Sequence, residues 1–276
     1  MAEKKANSPA KKSATQASSS ASNTNNSVSS TYDSVRRILK DMPLIGALIA
    51  EFIGAFLLTA AFIETQGSPL YVAFALGGIV LIIGGVSGAH VNPAVTIGAW
   101  VTRKMNWVYA LGYIVAQLLG ATVAYLILNT FLHAVPSVAT AAAPTLLHAA
   151  TIVKDKEWYI FFTELIGTTI IALGVATALR NKRNRIVATF AAGFAILIAL
   201  IIALSLTQTL LQSGTSNVIL TFLNPAIAFA ANGLSWNAWP LVIYVLAPFL
   251  GGIAGFAIQD FLHSQDKVAC DCDDCK

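Results

Sequence analysis

The chain has 276 residues, 56% of them hydrophobic and 11% charged, with a formal net charge of +4 and a mean hydropathy of +0.70. A soluble domain of this size carries about 25% charged residues, so the composition specifies a bilayer as solvent and argues against a soluble enzyme. No nucleophile–base pair, phosphate loop or complete metal-ligand set is legible, so no catalysis, no cofactor, no resident metal and no nucleic-acid partner are expected.

Residues 1–41 come first. They are rich in Ser, Ala, Asn and Lys and offer almost nothing to bury, which predicts a disordered tail. No apolar stretch follows the early lysines before Leu44. The first span is therefore expected to double as the insertion signal and to stay. Six full spans are then predicted, at about 42–63, 70–87, 107–131, 158–179, 186–208 and 239–262. Each is of a length that crosses a hydrocarbon core of ~30 Å. Two shorter apolar pieces remain, at roughly 92–101 and 224–233, and each begins at Asn-Pro-Ala. Ten residues of helix rise only ~15 Å, about half a bilayer. Residues 263–276 form a second tail. It holds Cys270, Cys272 and Cys275 among Asp271, Asp273 and Asp274. Such a cluster could hold a soft or borderline metal. It reads first as a solvated acidic tail with reduced thiols, because three cysteines make an incomplete site.

Basic residues set the expected topology. Arg36, Arg37 and Lys40 precede the first span, Arg103 and Lys104 precede the third, and Arg180, Lys182, Arg183 and Arg185 crowd the link between the fourth and fifth. With six spans these three places share one side. Lys154 and Lys156 on the other side are offset by Asp155 and Glu157. An integral, multi-pass protein with both termini cytoplasmic follows.

The chain also repeats itself. AEFIGAFLLTA (Ala50–Ala60) resembles TELIGTTIIAL (Thr163–Leu173), matching Glu51 to Glu164 and Gly54 to Gly167. YIVAQLLGATVAY from Tyr113 resembles YVLAPFLGGIAGF from Tyr244. Three spans per half is odd, so the second half (about 158–262) must be inverted relative to the first (about 42–131). Gly54, Gly120, Gly167, Gly251 and Gly255 are assigned to close helix packing.

The Asn-Pro-Ala pieces then acquire roles. Pro93 and Pro225 suit the first helical position, where a missing N–H costs nothing. Asn92 and Asn224 fall at the N-cap, where the side-chain oxygen accepts from a free backbone N–H. The NH₂ group is left as a donor. Inversion brings the two half-helices together N-terminus to N-terminus. A water at that point must offer its oxygen to both amides, which turns its hydrogens outward and interrupts a proton wire. The positive helix ends repel cations. Asn92, Pro93, Ala94, Asn224, Pro225 and Ala226 are the expected pore centre.

SGAHVNPAVT (Ser87–Thr96), taken with Glu51, Glu164 and YIVAQLLG (Tyr113–Gly120), resembles the aquaporins, the major intrinsic proteins, over about residues 42–262. The resemblance implies an all-α membrane bundle of six transmembrane helices plus two re-entrant half-helices. It implies a passive channel for water or small uncharged solutes in a lipid bilayer, with one pore per subunit in a homotetramer. It further implies that Glu51 and Glu164 support the re-entrant loops by accepting their backbone hydrogen bonds, with His90 packing in the same loop.

The chain departs from that pattern at the filter. The family places Arg directly after the second Asn-Pro-Ala, where this chain has Ile227. The aromatic expected twenty residues before Asn92 is Val72. The span-five position is Leu200 counted from Gly193, or Gln212 counted back from Asn224, and Thr221 supplies the fourth. An aromatic–arginine filter is absent. The segment Thr207–Asn217 looks inserted, and bulky Phe222 precedes the second motif. A pore with weak discrimination among neutral solutes is expected. The alternatives are a pore for glycerol, urea, ammonia or metalloid hydroxides, or a non-conducting scaffold or adhesion protein on the same fold.

Overall fold

The structure is a computed structural model and describes residues 43–134, 145–181, 183–211 and 217–270. The expected N-terminal tail, Lys182, Gln212, Cys272 and Cys275 lie outside the described residues. In chain order the helices are α1 (Pro43–Glu64), α2 (Pro69–Ile83), α3 (Pro93–Val101), α4 (Trp107–Ala134), α5 (Glu157–Arg180), α6 (Arg185–Gln208), α7 (Pro225–Ala230) and α8 (Ala238–Leu241). A π-helical stretch, Val242–Leu246, joins α8 without a break to α9 (Ala247–Cys270). Pro43–Gly46 form the first turn of α1, and Ala47–Cys270 belong to one compact unit.

Among the described residues five helices are long and apolar enough to cross a membrane: α1, α4, α5, α6 and the α8–α9 rod. The second expected span is shorter than its predicted 70–87. It has 15 residues, a rise of about 22 Å, because Gly84 and Gly85 follow and the chain turns there. The second half-helix also stops early, at Ala230 rather than 233, where Asn232 takes a positive φ of 58°. The last helix runs past the predicted 262 to Cys270.

Packing repeats between the halves. The half-helix α3 lies against α9, and α7 lies against α4. Gly98 and Gly252 let α3 and α9 touch backbone to backbone. A Cβ on Gly252 would fall on the carbonyl of Ala94, and one on Gly98 would fall on that of Gly252. On the other side Ala121 of α4 packs on Ala226 and Ala230 of α7. Gly54 and Gly167 make room for Val91 and Leu223, the residues before the two asparagines. The outer faces are apolar. Ile49, Ile53 and Leu57 on α1, and Phe190, Phe194 and Ile198 on α6, stand exposed four residues apart. Lipid tolerates such stripes, while the polar residues Glu51, Gln117 and Glu164 are wholly inside.

At the end carrying Lys154 and Glu157, β1 (His148–Ala149) pairs in parallel with β2 (Val218–Ile219). Asn217 ties this end together. Its amide donates to the Thr145 carbonyl at 3.0 Å and its oxygen accepts from Gln66 at 2.8 Å.

Candidate functional site

The two Asn-Pro-Ala loops meet inside the bundle. Pro93 and Pro225 open their half-helices, and Asn92 and Asn224 cap them in extended conformation, at φ −153° and −151°. Asn92 Oδ1 accepts from Ala94 N–H at 2.9 Å, and Asn224 Oδ1 accepts from Ala226 N–H at 3.0 Å. Each amide nitrogen then reaches across to the other loop. Asn92 Nδ2 donates to the Leu223 carbonyl at 2.8 Å, and Asn224 Nδ2 donates to the Val91 carbonyl at 3.0 Å. Since an amide NH₂ carries two N–H groups, each asparagine keeps one donor beyond these bonds. The cross-links depend on backbone that side-chain-bearing residues avoid. Val91 has φ 43° and Leu223 φ 55°, conformations that turn both carbonyls toward the opposite asparagine.

Two buried carboxylates hold these loops. Glu51 Oε1 accepts from Ser87 Oγ at 2.6 Å and His90 N–H at 2.9 Å, and Oε2 from Val91 N–H and Gln117 Nε2, both at 2.7 Å. Glu164 Oε1 accepts from Phe222 N–H at 2.6 Å and Thr221 Oγ1 at 3.0 Å, and Oε2 from Leu223 N–H at 3.0 Å. A buried carboxylate is tolerated only with such a full set of donors. Sequence reasoning did not find Gln117, which also bonds Thr96 at 3.0 Å. Its counterpart in the repeat is Pro248, which explains why Glu164 has one partner fewer.

The tyrosines aligned by the repeat are part of the same arrangement. Tyr113 donates to the Ser87 carbonyl at 2.9 Å, and Tyr244 donates to that of Leu220 at 3.2 Å. His90 meets Tyr113 edge-on, with ring centroids 5.3 Å apart at 79°, and Phe222 meets Tyr244 at 5.3 Å and 75°. Phe222 is therefore the inverted counterpart of His90. The sequence held this signal, since the alignment of Tyr113 with Tyr244 extends to the ring each one touches. His90 Nδ1 also lies 3.3 Å from Thr96 Oγ1.

His90, Asn92, Asn224, Phe62, Phe222 and Ile227 are among the residues lining a cavity of about 10 Å³ between the loops. That is close to the least volume that holds one water. Of the expected filter residues only Ile227 lines it. Val72, Leu200 and Thr221 are buried and do not. Leu76 and Ile196 line it instead, each one helical turn from Val72 and Leu200 on the same helix face. The Thr221 hydroxyl faces Glu164 rather than the cavity. Phe62, not singled out from the sequence, lies 6.1 Å from the Phe222 ring.

Beyond His90 the interior widens into a cavity of about 340 Å³, lined by Ser87, Tyr109, Tyr113, Lys104, Arg180 and Asp260 among others. Asp260 pairs with Lys104 at 2.8 Å and also with Arg180, whose Nε donates to Gln259. The basic residues before α4 and after α5 thus share one end of the bundle. Among the described residues no group of His, Cys, Asp and Glu could hold a metal ion.

Residues 38–258 match the family model described as major intrinsic protein. The chain is 30% identical to aquaporin PIP2-7 of Arabidopsis thaliana, over 81% of this chain and 83% of that protein. It is 30% identical to glycerol uptake facilitator protein-like 6 of Lactiplantibacillus plantarum, over 79% of this chain and 98% of that one. The fold matches the solved aquaglyceroporin from Plasmodium falciparum with a TM-score of 0.55 at 23% identity, covering 82% of this chain and 97% of that chain. The chain belongs to the major intrinsic protein family and is a passive transmembrane channel for water or small uncharged solutes.

Proposed function

We propose that solutes cross in single file past Asn92 and Asn224, and that these two amides, not a filter arginine, set what the pore accepts. The observation that carries this reading is the pair of reciprocal bonds from each asparagine to the opposite loop, at 2.8 and 3.0 Å. They fix both amides and leave each one N–H for a passing oxygen. Water and neutral solutes with a hydroxyl or carbonyl, of the size of urea or glycerol, can accept these bonds. A cation offers no acceptor and meets the positive ends of two half-helices. With Ile227 in place of the arginine, the second motif brings no positive charge to Val72, Leu200 and Thr221 to reject polar neutral solutes. No catalytic role is assigned. The test is stopped-flow swelling of proteoliposomes under sucrose, urea and glycerol gradients. Water and urea flux above protein-free vesicles supports the reading. Flux of water with complete exclusion of urea and glycerol would overturn the solute range, and no flux at all would favour the scaffold alternative.

The subunits assemble as a homotetramer in this reading. In the same reading the end bearing Lys104, Arg180 and Arg185 faces the cytoplasm together with both termini, an orientation that the excess of Lys and Arg at that end supports. A cysteine placed at Arg183, with Cys270, Cys272 and Cys275 replaced by Ser, should resist impermeant maleimide added outside intact cells. Labelling from outside would reverse the orientation.

A further inference from the structure

We propose that the ring of Phe222 is the plug of this pore, the side chain that limits flux at the end away from His90. This rests on the channel reading above. The two halves of the pore share one backbone plan but carry different rings. His90 and Phe222 each donate their backbone N–H to the supporting glutamate, and each set a ring edge-on to a tyrosine at 5.3 Å. On the His90 side the ring has polar nitrogens and the path opens into a cavity of about 340 Å³ lined by Ser87, Tyr113 and Lys104. On the Phe222 side the cavity narrows to about 10 Å³. Phe62, Val72, Leu200, Phe222 and Ile227 show 1%, 0%, 1%, 2% and 2% of their surface to solvent.

Three polar groups of that end already have partners. The Leu220 carbonyl accepts from Tyr244, the Thr221 hydroxyl donates to Glu164, and the Leu223 carbonyl accepts from Asn92. An enclosed water needs 2–4 polar partners, the side chains here offer it an apolar wall, and an apolar constriction of this kind closes by dewetting. Among these side chains Phe222 is the one with somewhere to go. Its Cε2 stands 3.3 Å from the point where a Cβ on Gly233 would lie. Gly233 and Tyr244 also line a cleft of about 520 Å³ at the end carrying Lys154 and Glu157. A rotation toward Gly233 would take the ring out of the path.

The experiment compares osmotic water and urea flux in proteoliposomes holding equal amounts of wild type, Phe222→Gly, Phe222→His and Phe222→Leu. Gel filtration and thermal unfolding verify that each variant is folded. Phe222→Gly should conduct water at least ~10-fold faster than wild type, a modest barrier change on the transition-state scale. Phe222→His keeps a ring against Tyr244 but restores a polar edge, and should raise water flux more than urea flux. Phe222→Leu removes the ring but keeps an apolar side chain, and should raise water flux less than Phe222→Gly does. Wild-type rates in both Gly and His variants, with wild type itself conducting, would overturn the plug and leave the channel reading standing. No flux in any variant would overturn both.

Discussion

Val91 is a β-branched residue held at φ 43°, and Leu223 sits at 55°. Such conformations cost about 1–3 kcal/mol each and persist only where their surroundings over-determine them. Here the surroundings are a glutamate on each N–H and an asparagine on each carbonyl. Removing the carboxylate should release the loop. Glu164→Ala would strip the acceptor from Thr221 Oγ1, Phe222 N–H and Leu223 N–H. Each buried donor left unsatisfied costs about 1–3 kcal/mol, so the variant should lose roughly 3 kcal/mol or more. Thermal unfolding in detergent measures this, and an unchanged midpoint would exclude the support role. At this scale the asparagines, prolines and glutamates could be read from the sequence, because a cap, a helix start and a buried charge each imply a residue type. The role of Gln117 could not, because only the folded crossing of α1, α4 and the loop brings it within hydrogen-bond reach of Glu51; the repeat aligned Tyr113 with Tyr244 but did not give the carbonyls they bind. The donor direction of the asparagines was also richer than expected. One N–H of each binds the opposite loop instead of both facing the path.

The half-helices are positioned by contact of backbone with backbone. At Gly252 the space for a side chain is filled by the Ala94 carbonyl, whereas at Gly78 on α2 nothing lies within 4 Å. Gly252→Ala should therefore push α3 outward, lower stability and shift Asn92. Gly78→Ala should be tolerated or slightly stabilising, by up to ~1 kcal/mol of helix propensity. Parallel thermal unfolding and water-flux measurements separate the two. Equal effects would deny that the α3–α9 contact sets the loop. Helix existence was legible here because apolar runs of membrane length admit no other backbone. Helix ends were less so. The run from Leu70 to Val86 is apolar throughout, yet α2 stops at Ile83 because Gly84 and Gly85 begin the descent into the loop. The last helix runs past 262 to Cys270, because an apolar span marks where the membrane ends and not where the helix does.

For the whole molecule, an inverted repeat supplies symmetric backbone, and sequence differences between the halves supply direction. One end carries the Lys104–Asp260–Arg180 cluster and a roomy polar cavity; the other carries Phe62, Phe222 and Ile227. The inversion was legible from the two glutamate motifs and the two Asn-Pro-Ala motifs. The closure was only partly legible: Phe222 and Ile227 stand out against the family pattern, but Phe62 comes from a helix with no motif to mark it. Val72 and Leu200, counted along the chain as filter positions, lie one helical turn from Leu76 and Ile196, which line the narrow cavity at the asparagines. The account turns on the reciprocal asparagine pair as the point every solute passes. The most direct measurement is osmotic water flux in proteoliposomes for Asn92→Ala and Asn224→Ala, each made in the wild type and on the Phe222→Gly background. Each change removes a passing donor and a helix cap, the cap alone contributing about 0.5–2 kcal/mol. The account predicts a severalfold fall in flux for both variants on the Phe222→Gly background, with folded protein recovered. Flux equal to that of Phe222→Gly alone, in both, would contradict it.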